Sequence, residues 1–292
     1  MDLSTERRQL VRELQALYAD KSKHSVYQSL PEFIADELGL QFNIDEKWRG
    51  DAIRLRYILR YAERMGWVRD GAWCDFGANT GFFSLSLAHE MPHADVLAIE
   101  ANVNHARFVK KLARAFKLQR LRILDRGIGR NQLDSIGRHD FLLHLNVLHH
   151  AGADFDFDQV KNVTDFPAYA RNYLSSLRLQ TNHLVFQMGW NLWGNKEQPI
   201  FPAIDDVVKL KILVSWLVDT GWKIEDIAYA THVDHNGECF PSLDYKPVSA
   251  IAVAGLFDQN FECALYEEMA DFRLYEHPGE FYRRPLIICR VA

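Results

Sequence analysis

Between residues 73 and 83 the chain reads Trp-Cys-Asp-Phe-Gly-Ala-Asn-Thr-Gly-Phe-Phe, an apolar run, a glycine-spaced turn and a second apolar run. This order predicts a strand, a sharp turn and a helix, because Gly77 and Gly81 let the backbone bend tightly and approach a ligand closely. The first N–H groups of the helix have no partner within it and point over the turn. We therefore expect an α/β fold that binds a ligand where this strand ends.

A second strand pattern, Val-Leu-Ala-Ile-Glu over residues 96–100, ends in an acid. In nucleotide-binding α/β folds an acid at this place accepts the ribose hydroxyls. A dinucleotide site would carry the pattern G-x-G-x-x-G, whereas here Asn79 and Phe82 stand at two of the glycine positions. Asp75 would repel a pyrophosphate and suits a ligand with a cationic end. Together, the two segments predict a positively charged nucleoside ligand.

The segment from Asp75 to Gly81 resembles the first motif of class I S-adenosylmethionine-dependent methyltransferases, in the variant with Asn for the middle Gly. The resemblance extends over about residues 71–188 and includes the C-terminal strand. It implies an α/β, Rossmann-like sheet of seven strands, the last one antiparallel, and S-adenosyl-L-methionine as cofactor. The cofactor-binding residues that it implies are Asp75, Gly77, Ala78, Asn79, Gly81, Glu100, Ala101, Asn102, Gly127, Ile128 and Asn146.

Apolar residues at helical spacing predict a mostly helical N-terminal cap over residues 1–70. Residues 71–292 are expected to form the methyltransferase domain, with insertions near 189–205 and 232–282. Alternating patterns predict a parallel sheet with right-handed crossovers, and both insertions should help to shape an acceptor site near its carboxyl edge. The predicted strands are 72–76, 96–100, 122–124, 141–145, 183–188, 223–228 and 285–291.

The fourth predicted strand ends in Asn-Val-Leu-His-His at residues 146–150. Transfer to a sugar hydroxyl needs a base near its oxygen, so His149 or His150 is a candidate catalytic residue. The alternative is that one histidine only hydrogen-bonds the backbone at the strand end. Asn146 is expected to hold the amino acid end of the donor through its side-chain amide.

Three residues of the first insertion, Trp190, Trp193 and Asn195, are candidates for the acceptor site, because aromatic faces stack against sugars and bases. The alternative is that the tryptophans pack this loop onto the core. Two more positions also have two interpretations. Asn102 either contacts the nucleoside or caps the following helix, and Asp125 either accepts from the adenine or caps a turn.

Composition restricts the remaining possibilities. The formal net charge is −5, which disfavours nucleic-acid binding because phosphate neutralisation needs a basic surface. A basic cluster over residues 107–122 is interpreted as the solvated face of an amphipathic helix rather than an RNA-binding surface. The four cysteines form no C-x-x-C pair, and the His-Val-Asp-His run at 232–235 lacks a clear third ligand, so no metal is expected.

No run approaches the roughly 20 apolar residues that span a bilayer, and residues 1–18 lack an apolar signal core. We therefore expect a cytoplasmic protein with no membrane span. Residues 81–88, 147–150 and 283–288 are similar to bacterial O-antigen and other surface-polysaccharide methyltransferases, which implies a sugar or glycan acceptor. Lys47-Trp48-Arg49 is similar to tRNA wobble-uridine carboxymethyltransferases, so tRNA is the second alternative. An NAD-dependent oxidoreductase and a non-catalytic binding protein are further alternatives.

Overall fold

A computed structural model describes residues 3–19, 30–39, 50–67, 70–201, 205–233, 242–274 and 280–292 of the chain. The predicted features at residues 47–49 and 234–235 lie outside these ranges. The described residues form one eight-stranded sheet in the order β3-β2-β1-β4-β5-β8-β6-β7. The strands are β1 Ala72–Phe76, β2 Asp95–Ile99, β3 Leu121–Leu124, β4 His139–Leu145, β5 Thr181–Gln187, β6 Trp222–Val233, β7 Ser242–Pro247 and β8 Leu286–Val291.

Strands β1 to β5 are parallel to one another, and β8 lies antiparallel between β5 and β6. The seven predicted strands are therefore confirmed, including the reversed C-terminal strand. Strand β7 is an eighth strand that the sequence did not predict, and it lies inside the predicted second insertion. It pairs antiparallel with β6 at the edge of the sheet. It ends at Pro247, a residue that an edge strand tolerates because one of its sides makes no ladder hydrogen bonds.

Helices cover both faces of the sheet in the described part of the chain. One face is covered by α1 to α5, and the other by α6, α7 and the two helices of the second insertion. The helices are α1 Leu3–Ala19, α2 Glu32–Leu38, α3 Asp51–Arg64, α4 Phe82–Glu90, α5 Val103–Ala115, α6 Phe166–Leu177, α7 Asp206–Asp219, α8 Ala250–Ala254 and α9 Glu262–Asp271. None of the helices in the described ranges is long and apolar enough to cross a membrane.

Helix α4 is buried on every side, which explains its lack of a polar face. Residues 82–88 are all buried, including two serines. Each serine hydroxyl bonds a carbonyl of the preceding turn: Ser84 bonds Gly81 and Ser86 bonds Phe82. The helix that follows the glycine turn is thus held rigidly against the sheet.

The N-terminal helices belong to the same core as the sheet. Leu14, Ile34 and Ile58 are fully buried and pack in one cluster with Leu85 of α4. Helix α3 is also tied to β6, since the Tyr57 hydroxyl donates to the Asp226 carboxylate at 2.6 Å. The predicted cap therefore completes the helical layer on this face.

The tight packing of the turn before α4 can be tested with a matched pair of glycines. Gly81 (φ 84°, ψ 22°) and Gly39 (φ 64°, ψ 33°) are both left-handed, so alanine at either should cost about 1–2 kcal/mol in backbone strain. An added Cβ at Gly81 would lie 2.8 Å from Val109 Cγ2, whereas one at Gly39 would have no described residue within 4 Å. Urea unfolding should show Gly81→Ala losing about 1–3 kcal/mol more than Gly39→Ala. Equal losses would contradict this packing.

Candidate active site

The turn between β1 and α4 crosses the carboxyl edge of the sheet. Gly77, Asn79 and Gly81 all have positive φ, and the N–H groups of Gly77 and Ala78 each donate to the Ile99 carbonyl of β2 at 2.9 Å. A Cβ on Gly77 would lie 2.5 Å from Val147 Cγ2. Glycine at this position therefore lets the turn pack closely against the end of β4.

Asp75 lies at the base of this turn and is 3% exposed. Its Oδ2 accepts the Ser84 N–H at 3.0 Å, so it satisfies a backbone donor of the first turn of α4. Burial, reinforced by the nearby charges of Glu100 and Asp51, raises the pKa of Asp75 from 3.8 to about 7, although the bonds from Ser84 oppose the shift. A cation beside this carboxylate would stabilise its charged form.

Glu100 joins the turn after β1 to the turn after β2. Its Oε2 accepts the Asn79 N–H at 2.6 Å, and its Oε1 accepts the Asn102 N–H at 2.7 Å. The Asn102 side chain accepts the N–H groups of Asn104 and His105. Asn102 therefore has the capping role that was one of its two interpretations, and Glu100 lies beside the glycine turn.

The residues after β3 are divided between the surface and the core. Asp125 is exposed, and its Oδ2 pairs with Lys110 Nζ at 2.6 Å. Gly127 lies next to Ala101, since a Cβ on Gly127 would be 3.6 Å from the Ala101 Cβ. Ile128 is only 2% exposed. Two of the predicted cofactor-binding residues, Ala101 and Gly127, thus come together, while Ile128 packs in the core.

Asn146 follows β4 in a left-handed conformation with φ 61°. Its Nδ2 donates to Gln187 Oε1 at 2.9 Å, and its Oδ1 accepts from Arg284 Nη1 at 2.8 Å. Both ends of the amide are thus engaged by protein groups. The structure places Asn146 beside the site, with a bonding pattern that orients Arg284.

The two candidate catalytic histidines lie in a 3₁₀ turn, Leu148–His150, directly after β4. His149 is 3% exposed, and its Nδ1 accepts the Gly189 N–H at 3.1 Å. His150 is partly exposed, and its Nδ1 lies 3.3 Å from Asp154 Oδ2. Their ring centroids are 4.2 Å apart. The structure thus brings the pair together with different partners.

The residues of the first insertion take different positions. Trp190 is 4% exposed and packs edge-to-face on Phe201, so it has the packing role that was its alternative interpretation. Trp193 is half-buried, and its Nε1 donates to the Ala151 carbonyl at 2.7 Å, next to His150. Asn195 is exposed and accepts the Glu197 N–H within its own loop. Of the three, Trp193 is the one whose side chain bonds the residue directly after the histidine pair.

A cleft opens over the glycine turn. It is lined by Asp75 and residues 77–80, by Phe82 and Phe83 of α4, by Leu145, and by Asp51 and Arg54 of α3. The N-terminal helical layer therefore contributes two charged side chains to the cleft.

Sequence reasoning missed three polar residues of this region, Asp51, Arg54 and Gln187, which are 3%, 1% and 0% exposed. Arg54 lies in phase with the apolar residues Ile58 and Tyr61 of α3, so a charge on the buried face of the helix was a usable signal. Gln187 follows the apolar residues 184–186 of β5. A buried polar group needs hydrogen-bond partners, and those of Gln187 come from distant parts of the chain.

The strand order, the reversed strand β8 between β5 and β6, and the glycine turn at the carboxyl edge define the class I methyltransferase fold that the sequence motifs imply.

No protein-family model and no curated protein matches the chain. Among solved structures, a 2.2 Å crystal structure of WbdD is 16% identical, with a TM-score of 0.48, over 80% of this chain and 46% of that one. A second structure, of the bifunctional kinase-methyltransferase WbdD, is 17% identical with a TM-score of 0.47 over 80% and 45%. The precorrin-6y C5,15-methyltransferase from Geobacter metallireducens is 12% identical with a TM-score of 0.42 over 80% and 86%. The chain spans a little under half the length of the WbdD chains that it matches.

The buried carboxyl of Asp75 predicts a pH-dependent stability. The pKa of Asp75 rises from 3.8 to about 7 on folding. Between about pH 4 and 7, the Asp75 carboxyl is therefore still protonated in the folded protein but ionised in the unfolded chain. The free energy of unfolding should therefore fall as the pH rises through this range, by on the order of 4 kcal/mol in total. Asp75→Asn should flatten that fall, measured by urea unfolding from pH 4 to 8. Asp95→Asn, at a side chain that is 57% exposed, is the control, and equal slopes in both variants would contradict the assignment.

Proposed function

We propose that the protein is an S-adenosylmethionine-dependent methyltransferase that acts on a sugar or polysaccharide hydroxyl. The observation that carries this proposal is the cleft over the glycine turn, which Asp75 lines, together with Glu100, which accepts the Asn79 N–H of that turn. The donor supplies a methyl group that is activated by a positively charged sulfur. The residues of this chain hold it and prepare the acceptor.

The cleft suits the donor chemically. Asp75 is a buried acid whose charged form a neighbouring cation would favour. Each Glu100 oxygen accepts one backbone N–H of the turn region, and a carboxylate at the end of β2 is the group that accepts ribose hydroxyls in nucleotide-binding α/β folds. Ala101 and Gly127 form a small, adjacent pair beside it. These groups support an assignment of the adenosine to this edge of the sheet.

The two histidines support different roles. A backbone N–H can only donate, so His149 Nδ1 must be unprotonated when it accepts from Gly189. A neutral His149 then carries its proton on Nε2 and is a donor there, not a base. In His150 the Asp154 carboxylate faces Nδ1 and favours a proton on that nitrogen, which leaves Nε2 as an acceptor. We therefore assign the general base to His150 and an orienting role to His149.

A sugar acceptor is favoured over tRNA by charge. The net charge is −5, and two lysines of the basic helix α5 are already paired, Lys110 with Asp125 and Lys111 with Glu13. The apolar face of α5 is buried in the core. The basic residues therefore form the solvated side of an amphipathic helix, and the His150–Asp154 pair suits deprotonation of a hydroxyl.

Donor binding tests the proposed reaction class. Isothermal titration calorimetry should detect S-adenosylmethionine and S-adenosylhomocysteine but not NAD. Glu100→Gln should weaken both adenosyl ligands by about 10- to 100-fold, because hydrogen bonds to a charged acceptor contribute about 1.5–3 kcal/mol. Glu90→Gln, at the exposed end of α4, should bind like the wild type. Binding of NAD in preference to the adenosyl ligands would indicate an oxidoreductase instead.

Acceptor class and base are tested together by transfer of a radiolabelled methyl group. Label should enter bacterial surface glycans and not tRNA. His150→Gln should lower the rate by about 10²- to 10⁴-fold and remove the rise of the rate with pH, without changing donor affinity. His149→Gln should retain that rise. Labelling of tRNA would overturn the sugar acceptor, and a pH profile that depends on His149 instead would reverse the two roles.

A further inference from the structure

Arg54 is a buried cation at the donor cleft. It lies on α3, is 1% exposed, and lines the cleft together with Asp75, Gly77 and Ala78. Burying an arginine is costly unless its charge and its N–H groups are matched. The position of this side chain therefore calls for a partner within the cleft or its walls.

Protein groups match only part of the guanidinium. Nη1 donates to Gln187 Oε1 at 2.8 Å, and Nη2 bonds Asp51. The Phe83 and Phe281 rings lie 5.1 and 4.8 Å from Cζ. Among the described residues Arg54 Nε has no hydrogen-bond partner. Since a guanidinium has five N–H donors, capacity remains for an anionic group.

The charges of the cleft match a zwitterionic ligand. Asp51 and Asp75 supply negative charge, and Arg54 is the one cation among the described residues that line the cleft. The amino acid end of the donor carries an ammonium group and a carboxylate. The ammonium group suits the aspartates, whereas the carboxylate would be repelled by them and suits the planar, forked guanidinium.

We propose that Arg54 binds the α-carboxylate of the donor, so that helix α3 is part of the donor site. This inference rests on the proposed function. Asp51 and Gln187 hold the guanidinium from two sides, and the aromatic rings exclude water from it. Arg54 thus distinguishes donors with the carboxylate from those without it.

Calorimetry with two probes separates this role from a purely structural one. S-adenosylhomocysteine carries the carboxylate, and 5′-methylthioadenosine lacks the whole amino acid end. Arg54→Gln should weaken S-adenosylhomocysteine by about 10- to 100-fold and change 5′-methylthioadenosine by no more than about twofold. Arg64→Gln is the matched control, because Arg64 lies on the same helix with its side chain 59% exposed, and it should bind both probes like the wild type. An equal loss for both probes in Arg54→Gln, or no loss for either, would overturn the assignment.

A second measurement does not depend on a folded variant. The unaltered protein should bind S-adenosylmethionine at least about tenfold more tightly than decarboxylated S-adenosylmethionine, which keeps the ammonium and sulfonium groups. Equal affinities would refute a carboxylate contact while leaving the methyltransferase proposal intact. Failure of the unaltered protein to bind any of the adenosyl ligands would refute both proposals.

Discussion

The walls of the cleft depend on one buried amide. Gln187, fully buried at the end of β5, accepts from Arg54 and Asn146 through Oε1. Its Nε2 donates to the Tyr245 hydroxyl and to the Arg284 carbonyl. These contacts join α3, β4, β7 and the segment before β8, four parts of the chain that are far apart in sequence. An apolar side chain here would leave several buried polar groups without partners, which costs more than the loss of a single hydrogen bond.

Electrostatics connect the stability of this site with its proposed function. Burying Asp75 makes its ionisation unfavourable and raises its pKa to about 7. A cation beside this carboxylate would stabilise its charged form, while Arg54 balances part of the negative charge within the protein. Perturbed pKa values of this kind are common at functional positions.

Two neighbouring histidines that look equivalent in the sequence have different partners in the structure. The backbone at Gly189 determines which nitrogen of His149 is protonated, whereas Asp154 faces His150. Glu280 holds the loop after β5 in place, since it accepts the Trp190 N–H, the Asn191 amide and Arg284 Nη2. The C-terminal segment thus supports both this loop and, through Phe281, the environment of Arg54.

The sequence alone determined the glycine turn, the acid after β2, the seven expected strands and the reversed last strand, because these follow from local periodicity, glycine conformations and a recognisable motif. Only the tertiary structure decided that Arg54 and Asp51 reach the cleft, that Gln187 links four segments, and that Trp190 packs in the core. It also revealed β7 and the different partners of His149 and His150. These outcomes depend on contacts between different elements of the fold. The hydrophobic pattern of a single sequence indicates which face of a helix or strand is buried, but it does not indicate which residues pack against that face.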